Sequence, residues 1–415
     1  MEFKKYTARS GIPIYHMYAP WAESVACGVL VKAGSRDEKW PQEAGLAHAV
    51  EHMIFRGTKD FPTSKSINSF IEDVGGALNA ETGHESTFFY TYLPAREFQR
   101  GFKILSQLVL SPTFPEKEIK VEMKTIIQEI KMSNDDSDNF ITDKFTKFIL
   151  GDHPLGREIL GTKKSVRSFD RRNFQRFIHK FYNCSNLVFV IVGNVKAATV
   201  IKAFNDLFSE VPKGKPNKRI EISLDRGREK SRRYYREVEQ AKIFIGWSFN
   251  GLGREEMNAL EIFSTMIGGG ASFPLFQLVR GREGICYSIN CDIYNWKDAA
   301  FFYVNLGADA QKYKEVEDLI LKIITRSKND RKLLEKAKSL SSGRLALRQE
   351  TMLAILECAA GDIVFEGRPR SIKDIRRDIK SVTMAKVKKV VEKYLQPEKM
   401  LKVILLPKKT QGTVL

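Results

Sequence analysis

Two histidines and a glutamate stand close together in the stretch GLAHAVEHMIFRGT, as His48-Ala49-Val50-Glu51-His52. Nothing between Gln42 and Phe55 breaks a helix, so the stretch is expected to be one. On a helix, residues four apart share a face one turn apart, which sets the imidazoles of His48 and His52 side by side. Two imidazoles so placed can hold one zinc ion, and Glu51 lies within reach of a water on it. The order is the reverse of the commoner His-Glu-x-x-His zinc motif. A catalytic zinc needs a third protein ligand and an open position for water, so another His or carboxylate must come from elsewhere in the chain.

The elements around the motif narrow that search. Residues 1–35 read as strands, among them IPIYHMYA and SVACGVLVKAG in near alternation, with His16 a partly exposed strand residue. SKSINSFIEDVGG reads as an amphipathic helix closed by Gly75-Gly76. ALNAETGHESTFFYTYLP then supplies an extended piece carrying Asn79 and Ala80, read as a sheet edge, and a strong strand from Thr87 to Tyr92. An edge strand exposes backbone groups to which a peptide can add. His84, in the turn between, is one candidate for the third ligand.

EKEIKVEMKTIIQEIKM reads as a helix from about Glu116 to Met132, with Ile119, Met123, Ile126, Ile127 and Ile130 on its apolar face. Glu122 and Glu129 are two turns apart and share a face, though on residue types alone such a pair reads first as solvated. NDDSDNF (134–140) reads as a loop without the spacing of a calcium-binding EF-hand. His153 falls in a loop and is read as structural, and His179 falls on the polar side of a helix.

With 415 residues, 43% hydrophobic and 28% charged, the chain has the make-up of a globular protein of two or three domains. No apolar run is long enough for a membrane span, and the N-terminus lacks the apolar core of a signal peptide, so a cytoplasmic protein with no membrane partner is expected. Five scattered cysteines form no Cys-x-x-Cys pair, which argues against a disulfide framework or a cysteine zinc site. The net charge of +18 would suit nucleic acid, but the basic residues are spread among 50 acids and no nucleic-acid-binding motif is present. No nucleic-acid partner is expected.

Residues 212–236, rich in Pro, Gly, Lys and Arg, read as a basic linker between a half at 1–211 and a half at 237–415. The second half repeats the element order of the first. All six histidines lie at or before His179, and EEMNALEIF takes the place of the zinc helix without a histidine. One half can bind zinc and the other cannot.

These residues resemble the inverzincin peptidases related to pitrilysin, insulin-degrading enzyme and mitochondrial processing peptidase, in a short single-chain bacterial-type form. The resemblance covers essentially the whole chain. It implies that Glu129, 77 residues after His52, is the third ligand and that Glu122 is the acidic residue preceding it. It places Asn79 and Ala80 on a substrate-binding edge strand, and Arg280 and Tyr287 of LFQLVRGREGICYSI in the element that reaches substrate and transition state. Pro274 and Gly281 depart from the family pattern, where Arg and an acidic residue are usual.

The resemblance further implies an α+β fold of two homologous halves, each an antiparallel-rich β-sheet covered by helices on one face. It implies one Zn2+ per chain and a homodimer whose two chains enclose a chamber for short or unfolded peptides. The expected activity is that of a zinc metalloendopeptidase in which the metal activates water and Glu51 is general base then acid. Glu122 would orient a ligand, and Arg280 and Tyr287 would hold the peptide or stabilise the oxyanion. The alternative is a non-catalytic relative serving as a scaffold or assembly subunit; such relatives usually carry a degraded motif.

Overall fold

The computed structural model describes residues 2–219, 221, 224, 229–282, 286–309 and 313–408. In chain order the strands of the first sheet are β1 (Lys4–Thr7), β2 (Pro13–Tyr18), β3 (Ser24–Val31), β4 (Ala77–Thr82), β5 (Thr87–Pro94) and β6 (Leu187–Gly193). Those of the second are β7 (Ser231–Arg236), β8 (Ala241–Phe249), β9 (Cys286–Asn295), β10 (Ala300–Ala308) and β11 (Leu401–Pro407). The helices up to residue 207 are α1 (Leu46–Ile54), α2 (Ser64–Glu72), α3 (Phe98–Leu110), α4 (Glu116–Asp135), α5 (Ser137–Leu150), α6 (Lys163–Arg167), α7 (Arg171–Phe181) and α8 (Ala197–Leu207). Later come α9 (Arg254–Gly268), α10 (Tyr313–Ser327), α11 (Arg331–Arg348), α12 (Met352–Glu366), α13 (Ile372–Ser381) and α14 (Met384–Tyr394).

The chain forms two compact units, each drawn from separated segments. The first comprises Met1–Met132, Arg157–Ile220 and Leu347–Ile372; the second comprises Ser133–Gly156, Glu221–Ala346 and Lys373–Leu415.

In the first unit the sheet order is β1-β2-β6-β3-β5-β4, antiparallel throughout except for β2 beside β6. The run LVFVIVG of β6 is buried at every position, as a central strand covered on both faces must be. On one face Val29, Phe89, Phe189 and Ile191 pack with Val50 of α1, Phe102 of α3, Ile126 of α4 and Phe204 of α8. On the other, Leu30, Phe88, Val190 and Val192 lie under Ile355, Leu356, Ala359 and Ile363 of α12. The helical layer on one face is as expected, and α12 adds a covering helix on the second face. The apolar face expected for α4, Ile119 through Ile130, is buried in the first core.

The second unit repeats this topology as β7-β11-β8-β10-β9, and its one parallel pair, β11 with β7, corresponds to β6 with β2. Leu260 and Phe263 of α9, Ile320 of α10 and Val387 of α14 pack on one face of its sheet. Phe145 and Ile149 of α5 pack on the other, against Phe244, Phe301, Tyr303 and Val403. Each half of the chain therefore places the helix after its long helix (α5 after α4, α12 after α11) in the unit built on the other half's strands.

Three local expectations differ from the structure. The stretch 134–140 is not a loop: α4 runs to Asp135, and Asp136 caps α5 by accepting from the N–H groups of Asp138 and Asn139 at 2.9 and 2.8 Å. The segment read as a linker is held along the first unit at its start, where Ser185 donates to the Gly214 carbonyl at 2.8 Å and Arg219 forks onto Asp37 at 2.8 and 2.6 Å. Its last six residues are β7, an edge strand on which Arg232 and Arg233 stay exposed and Arg236 is half-buried. His16 is buried, with Nε2 at 3.0 Å from the Val195 carbonyl. Cys286 and Cys291 lie in β9, and among the described residues no cysteine is bridged and no helix is long and apolar enough to cross a membrane.

Candidate metal centre

Helix α1 is fixed at its N-terminus before it presents any chemistry. Gly45 begins it at φ +87°, and a Cβ there would sit 2.5 Å from the Leu160 carbonyl oxygen, so only glycine fits. The Glu38 carboxylate accepts from the N–H groups of Gly45 and Ala47 at 2.9 and 2.8 Å, satisfying two donors of the first turn. Burial pushes the Glu38 carboxyl up to about 8, with those two N–H groups opposing the rise. Leu46, Val50, Met53 and Ile54 anchor the inner face in the core, which leaves His48, Glu51 and His52 half-buried on the other.

The expected pairing of the two imidazoles is what the structure contains, with ring centroids 4.4 Å apart. Helix α4 brings Glu129 to them: its Oε2 lies 3.6 Å from His52 Nε2 and 4.0 Å from His48 Nε2. One donor atom from each of the three residues falls within 4.8 Å of the others, the sole such group of metal-ligating side chains among the described residues. Two turns earlier on α4, the buried Glu122 accepts from His52 Nδ1 at 2.7 Å, and its other oxygen is paired with Arg56. A proton on Nδ1 leaves the Nε2 lone pair of His52 directed at the Glu129 carboxylate.

The donor set fits a cation. Bonds of about 2.0–2.1 Å in tetrahedral geometry separate ligand atoms by roughly 3.4 Å, close to the separations seen here. Burial, and then the neighbouring His52, push His48 down to about 3, which keeps its imidazole in the neutral form that binds metal. Among the described residues, His48 Nδ1 is buried without a hydrogen-bond partner. Burial disfavours a charged His52, but its hydrogen bond to Glu122 and the carboxylates of Glu129, Glu122 and Glu51 outweigh it and raise its pKa. The residues present suit a zinc ion. His84, the other candidate ligand, instead faces Ser35 Oγ at 3.0 Å.

Glu51 points toward β4, the outermost strand of its sheet, which among the described strands pairs with β5 alone. Its Oε2 accepts from Thr82 Oγ1 at 2.5 Å. Burial raises the Glu51 carboxyl; Thr82 and His52 work against that, and Glu81 and Glu129 add to it. Asn79 and Ala80 lie on this edge strand as expected, with Asn79 donating to the Tyr90 hydroxyl at 3.3 Å and accepting from the Ala80 N–H at 2.9 Å. Sequence reasoning missed Thr82 and Arg56. Strand alternation could have put Thr82 on the inward face of β4, whereas nothing local pairs Arg56 with Glu122.

Arg280 belongs to a π-helical segment, Leu275–Arg282, and Tyr287 to β9, both in the second unit. Their side chains lie outside the described part of the structure.

Residues 15–163 match the family model "Insulinase (Peptidase family M16)" and residues 168–340 match "Peptidase M16 inactive domain". A Rickettsia felis protein named "Uncharacterized zinc protease" is 30% identical over 383 residues, covering 90% of this chain and 91% of its own. The Bacillus subtilis "Uncharacterized zinc protease YmxG" is 28% identical over 389 residues, covering 92% and 93%. The solved structure of a protease from Helicobacter pylori superposes with a TM-score of 0.90 at 17% identity, covering 98% of this chain and 99% of that one. A Pseudomonas fluorescens structure described as a peptidase M16 inactive domain gives 0.88 at 18% identity, with all of both chains covered. A fold repeated in two halves, a His-x-x-Glu-His helix in the first half alone, and relatives aligned over nine-tenths of the chain lead to one conclusion: this protein belongs to peptidase family M16, the insulinase family.

Proposed function

We propose that this protein is a zinc-dependent endopeptidase acting on short or unfolded peptides, with one zinc per chain. The observation that carries this reading is the convergence of His48, His52 and Glu129 beside the half-buried carboxylate of Glu51. Zinc bound there would supply Lewis acidity, polarising the scissile carbonyl and lowering the pKa of a water. His48 and His52 offer neutral ring nitrogens and Glu129 a carboxylate oxygen, and Glu122 holds the His52 ring and tautomer through Nδ1. Glu51 takes the proton of the attacking water and returns it to the leaving amine. Its raised pKa, caused first by burial, suits a group that must both accept and give a proton.

The open edge of β4, with Asn79 and Ala80, is assigned to the peptide backbone, which would add to the sheet as a further strand. Arg280 and Tyr287 are assigned to holding the peptide or stabilising the developing oxyanion. Two chains would pair as a homodimer to enclose the peptide. Sedimentation tests that arrangement: a fully active monomer would overturn it.

The test of the activity is cleavage of a quenched fluorescent peptide library by wild type and Glu51→Gln. Wild type is expected to cleave, and the variant to be slower by about 10²–10⁴-fold while keeping its metal. A variant as fast as wild type would remove Glu51 from the chemistry.

A further inference from the structure

Along β4 the side chains alternate: Ala77, Asn79 and Glu81 are exposed, Leu78 and Ala80 are half-buried, and Thr82 is buried at the strand's end. Thr82 stands opposite Thr87 of β5, on the face of the sheet turned toward α1. Its hydroxyl donates to Glu51 Oε2 at 2.5 Å, a short, charge-assisted contact. The buried phenol of Tyr182 lies close enough to Glu51 that the carboxylate adds to the rise which burial gives that phenol's pKa. One oxygen of Glu51 is thus engaged by the strand.

We propose that Thr82 is a positioning residue for the base: it fixes the rotamer of the Glu51 carboxylate so that a defined oxygen faces the reacting water. This rests on the peptidase reading and extends it. Because Thr82 is the last residue of the strand to which a peptide would add, the same short segment sets both where the peptide backbone lies and where the base lies. A displacement of about 1 Å in such a group can cost about 10²-fold in rate, so one hydroxyl is enough to matter. A merely structural role would predict something else. A buried hydroxyl needs a partner, and its loss would then lower thermal stability while leaving turnover intact.

The experiment compares Thr82→Val, which keeps the shape and removes the hydroxyl, with Thr82→Ser, which keeps the hydroxyl. Thr82→Val is expected to lower kcat by about 10–100-fold, with KM and zinc content close to wild type. Thr82→Ser is expected to restore most of kcat. A second readout does not need turnover. The infrared carboxylate band of Glu51, identified as the band lost in Glu51→Gln, should shift in Thr82→Val and return in Thr82→Ser.

Wild-type kcat in Thr82→Val, a Ser variant as slow as the Val variant, or an unmoved band would each overturn the proposal. If wild type cleaves no peptide at all, the peptidase reading fails and the role given to Thr82 fails with it. The band then still reports whether the hydrogen bond exists, which separates that failure from the others.

Discussion

Helices α1 and α9 occupy the same place in the two units, each following the central strand of its sheet, yet one carries side chains that could hold a metal and the other fills a core. Set in register on Ala49-Val50-Glu51 and Ala259-Leu260-Glu261, His48 corresponds to Asn258 and His52 to Ile262. Ile262 is 3% exposed and packed among Leu260, Phe263 and Ile293, whereas the His52 side chain keeps 20% exposure and faces Glu129. The scaffold is common, and the difference lies in a few side chains. A helix that is to offer metal ligands must give up apolar burial on one face and accept polar partners there, here Glu122 and Glu129 from α4. A helix without those partners returns the face to the core.

The comparison can be broken first by making α1 like α9. His52→Ile should abolish zinc binding and, with it, peptide cleavage, read by elemental analysis and the fluorescent assay. The reverse change should create nothing: Ile262→His places a polar ring in an apolar core, and should cost about 2–4 kcal/mol in denaturant unfolding without adding a second zinc.

The partner from α4 sharpens the comparison further. Glu122→Gln should weaken zinc affinity by about 10–100-fold in a chelator competition, because the His52 ring loses its charged acceptor. On the covering helices the two units should behave alike: Leu356→Ala on α12 and Phe145→Ala on α5 should each destabilise by about 2–5 kcal/mol, since both side chains are almost wholly buried. The smallest effect is expected for Glu261→Gln, the counterpart of Glu51→Gln, which should leave cleavage within about twofold of wild type, as surface changes away from such a site usually do.

What could be read from the sequence depended on how local the physics was. The His48/Glu51/His52 face follows from helical spacing alone, so it was legible from five residues. Glu122 and Glu129 could be placed on one face of a helix, but only the resemblance to known peptidases joined that face to α1, 70 residues or more away in sequence. The pairing of Arg56 with Glu122 and of Thr82 with Glu51 leaves no trace in spacing, because each joins side chains on different elements or turns. The second covering helices were illegible for the same reason: α12 and α5 sit on sheets whose strands lie far off in the chain. A run such as LVFVIVG signals burial on both faces without saying what covers it.

The measurement that tests the account most directly is zinc stoichiometry of wild type and His52→Ile, taken on the same preparations used for peptide cleavage. Wild type is expected to hold one zinc per chain and to cleave, and the variant to do neither. A wild-type protein that cleaves peptides while holding no metal, or a His52→Ile variant that keeps its zinc and its activity, would contradict it.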